Sequence, residues 1–484
     1  MTSGEDSTPI PAQPGILEMT SKAATPLTRV VPLISKEGTR EGFNPGVLSL
    51  KRALGYWDLI LYGLAYISPY APLATLGFVW NASNGLIVLA YVLGGVCMFF
   101  TAKSYAMMTE TVPTAGSVYG FARYSLGAYP GFIAGWMILL DYLLIPAFVY
   151  IVFSVAMDTL LPGVDRRVWI VLLVGFTTVI NWYGIKVTSR ANFIAVGLQV
   201  VVVAGFVMLA IFALRSGAGS GALTLKPVYD SASFDTGKLF SATSICVMSY
   251  LGFDAVSTLA EEVKGGDRRI VSKAITSVLM ISTVFFVGVT WVVGNLMHGL
   301  TIKDPAAAVY EVATWAIGSW TAVILAWANV TVVAFSTALP TQVGVARVVF
   351  AMGRDGQLPR PLARIHSRYH TPYVAMLATT AVSLAVALGM ENKLDELTSI
   401  VNFGALSGFL LLHVSVLAHF AVSLRSRAWF SHWLVPLCGI AVVLAVFSGM
   451  SALAVKVGLS WLAVGALYGA ALRWLGRDEF HVPL

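Results

Sequence analysis

Long apolar runs and short polar breaks alternate along this chain almost from end to end. A helix needs about 20 apolar residues to cross a bilayer. Twelve runs meet that length, near residues 56–80, 84–108, 129–157, 168–185, 192–214, 237–262, 274–297, 311–338, 372–390, 396–421, 432–450 and 453–474. The pattern predicts an all-α integral membrane protein with twelve transmembrane helices and both termini on one side. Residues 1–50 stand apart: they contain Pro, Ser and Thr and lack an early apolar core. They read as a disordered cytoplasmic tail, with the first run as the insertion signal.

Two runs carry residues that a helix resists. Run 1 contains GLAYISPYAPLATLGFVW, residues 63–80, with Pro69 and Pro72 three apart. Each proline removes a backbone donor and crowds the preceding turn. The helix is therefore expected to open between Tyr66 and Pro72, and its freed groups must face protein, water or ligand. The alternative is a simple kink. Run 6 contains SYLGFDAVSTLAEEVK, residues 249–264. Gly252 permits a break there. Asp254 then stands where a second half-helix starts, either capping it or meeting a substrate or proton. Glu261 and Glu262 follow two turns on, beside Lys264, Arg268 and Arg269. They suit an inner gate, an ion pair or a coupling role.

Runs 1 and 6 lie five apart, an odd offset, so two five-run halves would be inverted relative to each other. Paired interruptions of this kind point to the binding site of a secondary transporter.

Composition agrees with a membrane environment. The chain of 484 residues is 57% hydrophobic and 11% charged, against about 25% charged in soluble domains. Placing the termini inside puts 23 of the 31 Lys and Arg on the cytoplasmic side, as the positive-inside rule requires. The net charge of +7 is then loop charge rather than a nucleic-acid surface. Cys97, Cys246 and Cys438 each lie in an apolar run, so no disulfide framework is expected. No Walker loop, HExxH or GxSxG pattern is present, which disfavours a pump or hydrolytic enzyme. No filter loop suggests a channel. His413 and His419 are six apart and face different ways, so neither a metal site nor a cofactor is expected. The Gly- and Ser-rich stretch 215–236 reads as a flexible outer loop, and Asn81-Ala82-Ser83 matches a glycosylation acceptor.

The segment SYLGFDAVSTLAEEVKGGDRRI resembles the run-6 signature of the amino acid–polyamine–organocation transporters. VPTAGSVYGFARYSLG (112–127), NWYGIKVTSRANF (181–193) and VARVVFAMGRDGQLPRPLARIHSRYHTP (345–372) resemble further motifs of that family. LLDYLLIPA (139–147) and IVNFGALSGFLLLHVSVLAHF (400–420) are similar to the putrescine importers within it. The resemblance covers roughly residues 50–475. It implies the 5+5 inverted-repeat, leucine-transporter-like fold: one repeat in 51–236, the second in 237–425, and two further spans in 426–484. It also implies a plasma-membrane permease that imports amino acids or related amines by alternating access.

Departures from the family bear on the substrate. Many amino-acid members carry a Gly-Ser-Gly turn in run 1 whose amides bind a carboxylate. Here Ile67-Ser68-Pro69-Tyr70-Ala71 stands instead, and Pro69 has no N–H. This tilts the reading toward an amine without a carboxylate, such as putrescine. An amino-acid permease or exchanger is the alternative. Asp141, an acid in the middle of run 3, suits an ammonium group or else a buried hydrogen bond. Tyr66, Tyr70, Tyr142 and Tyr250 could add aromatic faces. The expected substrate site is thus Tyr66, Ser68, Pro69, Tyr70, Asp141, Tyr250, Gly252 and Asp254. Some proton-coupled relatives place a lysine where alignment puts Gln199. Gln cannot titrate, so a proton co-ion would have to use Asp254 or Glu261. Gln199, Glu261 and Glu262 are the expected gating or coupling positions. Ser336 and Thr337 resemble hydroxyls that ligate sodium in some fold relatives, or bond between helices.

Overall fold

The structure, a computed structural model, describes residues 54–112, 118–184, 189–260, 263–354, 356–369 and 371–474, with the side chains of 189–192 left aside. The proposed tail 1–50 and the pair Glu261 and Glu262 lie outside the described residues.

The described chain is helical. In order it forms α1 (Tyr56–Ile67), α2 (Leu76–Ala82), α3 (Ile87–Thr111), α4 (Val118–Leu126) and α5 (Ala128–Leu160). Next come α6 (Arg166–Trp182), α7 (Ser189–Arg215), α8 (Thr236–Tyr250), α9 (Arg268–Leu296) and α10 (Ala308–Ala316). The remainder is α11 (Ser319–Arg354), α12 (Tyr373–Gly389), α13 (Leu394–Ser423), α14 (Phe430–Ser448) and α15 (Ala452–Trp474). Among the described residues the only β pairing is one parallel bridge, Leu54 to Val263, where the Lys264 amide donates to the Leu54 carbonyl at 3.0 Å. It ties the entry of α1 to the segment leaving run 6.

Among the described residues nine helical segments are long and apolar enough to cross a bilayer, or ten if the bent α1–α2 pair counts as one. α12 is apolar but only 17 residues long. α6 has the same length and opens on Arg166 and Arg167.

Two expectations change. The run at 311–338 is not one helix: α10 stops before Gly318, whose φ of 139° interrupts the winding. α11 then runs on to Arg354, well past the apolar run. Its polar residues there are buried against protein. Gln342 donates to Thr178 Oγ1 at 3.0 Å and Thr380 Oγ1 at 2.7 Å, and accepts from Asn181 at 2.7 Å. The loop 215–236 is pinned rather than free. Asn295 Oδ1 accepts from the Thr224 amide at 3.0 Å and from its hydroxyl at 2.6 Å, and Trp291 Nε1 donates to the Thr224 carbonyl at 2.8 Å.

Helix packing is reciprocal. α1 packs on α9, and α8 packs on α3; α5 packs on α12, and α11 on α6; α5 meets α13, and α11 meets α7. In each case the second pair follows from the first by exchanging run n for run n+5.

α15 is keyed to α5. Trp136 Nε1 donates to the Trp461 carbonyl at 2.9 Å, and Trp461 Nε1 returns a bond to the Trp136 carbonyl at 2.8 Å. The rings stack with centroids 4.6 Å apart. Gly465 leaves room for the Trp136 ring, which any Cβ there would overlap. Overpacking costs about 1–3 kcal/mol. Gly465→Val is therefore expected to lower the melting temperature of detergent-purified protein and the yield of monodisperse material, read by fluorescence-detected gel filtration. An unchanged melting curve would show that this seam is slack.

Candidate functional site

The site begins with the two interruptions. α1 stops at Ile67, and Ser68 adopts a φ of 63°, a left-handed conformation unusual for a residue with a side chain. The break occupies Ser68–Tyr70. Pro72 plays no part in it. It sits at the start of the single helical turn Ala71–Ala74, where a missing N–H costs nothing. The chain bends again at Thr75, and α2 leaves at 57°. In run 6, α8 ends at Tyr250, Gly252 takes a φ of 118°, and the chain resumes as a 3-10 helix, Phe253–Leu259. A Cβ on Gly252 would lie 2.9 Å from Tyr66 Cδ1 and 3.1 Å from the Tyr66 carbonyl carbon. The two breaks therefore press on each other, and both conformation and space demand glycine at 252.

The backbone donors through the first break are all engaged. The Ser68 amide donates to the Leu64 carbonyl at 3.1 Å and the Ala71 amide to the Ser68 carbonyl at 3.0 Å. Pro69 has no donor. The Tyr70 amide donates to Gln199 Oε1 at 3.3 Å, and the Ser68 hydroxyl donates to the same oxygen at 2.8 Å. Gln199 is thus the residue that satisfies the opened turn, from behind it.

In front lies a cavity of about 120 Å³, reached by both breaks. Tyr66, Ser68, Tyr70, Asp141, Gly252 and Asp254 line it. Ile145, Phe148, Val149 and Val152 of α5 supply an apolar wall, with Met248 and Phe409 opposite. Among the described residues its lining holds two carboxylates and no Lys, Arg or His. Asp141 is buried, and its Oδ1 has no hydrogen-bond partner. Its helix is held close to α13, because Gly404 lets the Asp141 amide approach. Asp254 accepts from the Tyr105 hydroxyl at 3.4 Å. Tyr70 donates to the Tyr310 hydroxyl at 3.2 Å, which also receives Asn329 Nδ2 at 3.0 Å.

Three of the expected residues stand outside the lining. Pro69 lies within the break itself, and Gln199 bonds it through Ser68 and Tyr70. Tyr250 turns away: its hydroxyl donates to the Tyr91 carbonyl at 2.7 Å, and its ring packs against Tyr91 and Phe286. The reason is azimuthal, since Tyr250 ends α8 on the face toward α3 while Leu251 and Gly252 turn to the cavity. His413 is also remote, bonded to Ser104 Oγ at 2.9 Å and seated against Gly439.

The lining also includes Asn329 and Thr341, which sequence reasoning did not assign, and Thr337, which it read as a sodium-ligand-like or interhelical hydroxyl. A signal for them exists in Pro340, which cannot donate to the Ser336 carbonyl. One turn earlier α11 is wound as a π-helix over Val333–Thr337, a form frequent at functional sites. Pro146, inside α5, likewise leaves the carbonyl of Tyr142 without its helical donor, one residue from Asp141.

Comparison with known proteins adds context. The pattern of the amino acid permease family matches residues 60–472. The low-affinity putrescine importer PlaP of Escherichia coli strain K12 is 29% identical over 437 residues, 89% of this chain and 95% of that protein. The branched-chain amino acid permease BcaP of Bacillus subtilis is 30% identical over 396 residues, 77% of this chain and 82% of that protein. The cationic amino acid transporter 1 of Arabidopsis thaliana is 28% identical over 389 residues, covering 76% of this chain and 62% of that protein.

Proposed function

The chain belongs to the amino acid permease family and is a multi-pass membrane transporter, not an enzyme, and from there we propose that it imports small amines across the plasma membrane, preferring a polyamine such as putrescine. Twelve spans with cytoplasmic termini and two inverted repeats, 51–236 and 237–425, frame this reading, which the reciprocal helix packing supports. Alternating access then proceeds by rocking around the central cavity.

The observation that carries the substrate class is the buried, unpartnered Oδ1 of Asp141, in a cavity with a second acid and, among the described residues, no base. An uncompensated buried carboxylate costs several kcal/mol. An ammonium group supplies both the missing hydrogen bond and the missing charge. The engaged donors of the first break point the same way, because they offer nothing to a substrate carboxylate. Size agrees too. The cavity, of about 120 Å³, has room for more than the single water that a void needs about 10–15 Å³ to admit. A short diamine with its methylenes on the α5 wall fits within that.

The driving force need not involve a co-ion. A dication gains about 4.6 kcal/mol per 100 mV of inside-negative potential, at about 2.3 per charge. Gln199 does not titrate, so a proton, if coupled, is carried by Asp254 or Glu261. In proteoliposomes, uptake of labelled putrescine is expected under an imposed potential without a pH gradient, with competition by diamines and not by leucine or alanine. The second reading, an amino-acid permease or exchanger, draws on relatives named for amino acids. Competition by amino acids stronger than by diamines would establish it instead.

A further inference from the structure

A second cavity, of about 650 Å³, opens where α2 ends and the α5–α6, α9–α10 and α12–α13 connections meet. It stands in line with the central one. Ser241 and Ile245 of α8 border it, while Met248, next along that face, borders the central cavity. On run 1, Phe78 and Ala82 border the second cavity and Ala74 the first. Residues three or four apart share a helix face, and the seven positions from Ser241 to Met248 span about 10 Å. With the termini cytoplasmic, this larger space is the outer vestibule.

Its charges are unevenly satisfied. Arg166 is fully committed: Nη2 donates to Asp304 at 2.7 Å and Nε to Asp158 at 3.0 Å. Glu391 is about nine-tenths buried, with a relative exposure of 9%. Its Oε1 takes Arg167, at 2.7 Å from Nη2, but its Oε2 has no hydrogen-bond partner. Asp395 lies four residues on, in the first turn of α13, and borders the same space. Lys303 also faces it. With the partners that complete these ion pairs, four carboxylates meet three bases, so the vestibule keeps one excess negative charge. Phe78 and Ile245 form apolar surface between that charge and the central site.

We propose that the vestibule is a docking subsite for one ammonium end of an incoming alkyl amine, held by Glu391 Oε2 and Asp395 with its methylenes over Phe78 and Ile245. It is a waiting position from which the amine descends to Asp141, and it rests on the reading of the substrate as a cationic amine. The test is initial-rate uptake of labelled putrescine by the full chain in proteoliposomes, at low and high ionic strength. The double variant Glu391→Gln with Asp395→Asn is expected to raise KM about two- to fivefold, the range for a lost exposed ion pair, while maximal rate moves less. Wild-type KM rises with salt, and the variant's KM loses most of that rise. Asp395→Asn alone changes an exposed side chain, so it keeps the test valid if the double variant folds poorly, and it gives part of the same shift. Wild-type uptake with unmoved KM in the variants overturns the vestibule site alone. Absence of any amine uptake by the wild type overturns the central reading and this proposal together.

Discussion

Replacing Asp141 with Asn is expected to abolish diamine uptake while the folded transporter remains abundant. The two side chains have the same shape, so packing against α13 at Gly404 is kept. What disappears is the negative charge that faces the cavity. Removing one partner of a desolvated, charge-assisted pair costs about 2–5 kcal/mol of binding, or roughly a 30- to 5,000-fold loss of affinity. The empty protein responds in the opposite sense. It no longer holds a buried charge with an unmet oxygen, so its melting temperature without substrate holds or rises. Wild-type protein is expected to gain stability when putrescine is added, by about 2.7 kcal/mol at a hundred times its dissociation constant, and Asp141→Asn is not. Uptake by this variant with an unchanged KM would remove Asp141 from the site.

Gly252→Ala comes next in severity, for a reason that is steric rather than electrostatic. The position combines a φ of 118° with Tyr66 atoms at 2.9 and 3.1 Å from any added Cβ. Backbone strain of this kind costs about 1–3 kcal/mol, and the added Cβ would meet the Tyr66 ring edge at 2.9 Å with the backbone of the other broken helix close behind it, the Tyr66 carbonyl carbon at 3.1 Å and the Ile67 amide nitrogen at 3.2 Å. Uptake per folded molecule should fall at least tenfold, and melting temperature should drop. Gly288→Ala is the matched control. It lies inside α9 with nothing within 4 Å of an added Cβ, and alanine is the better helix former by up to about 1 kcal/mol. Equal behaviour of the two variants would mean that the contact between the breaks is dispensable.

The two breaks were legible in the sequence because they are written into the backbone itself. Pro69 lacks a donor and Gly252 lacks a Cβ, and neither fact depends on neighbours. Asp141 was legible because an acid in an apolar run has few alternatives. Other features depended on tertiary partners. Pro72 looked equivalent to Pro69, but a proline at the first turn of a resuming helix does no harm. Tyr250 sits two residues from Gly252, yet a helix turns about 100° per residue, so sequence nearness says little about which way a ring points. The extension of α11 was hidden because Thr341 and Gln342 look like loop residues until Gln342 is seen bonded to Asn181, Thr178 and Thr380 and the Thr341 hydroxyl to the Thr337 carbonyl. Gln199 could be read as a position that cannot titrate. Its bonds to Ser68 and Tyr70 became visible only with the fold.

The parallel bridge between Leu54 and Val263 couples two pieces of chain that are far apart in sequence. One precedes α1 and the other follows the 3-10 helix of run 6. Stitched there and pressed together again at Tyr66 and Gly252, the half-helices on that side are tied to each other at two separate places. On the alternating-access reading proposed above, two pieces tied at both places are expected to move as one body, so that access from that face opens in one stroke rather than by two independent doors.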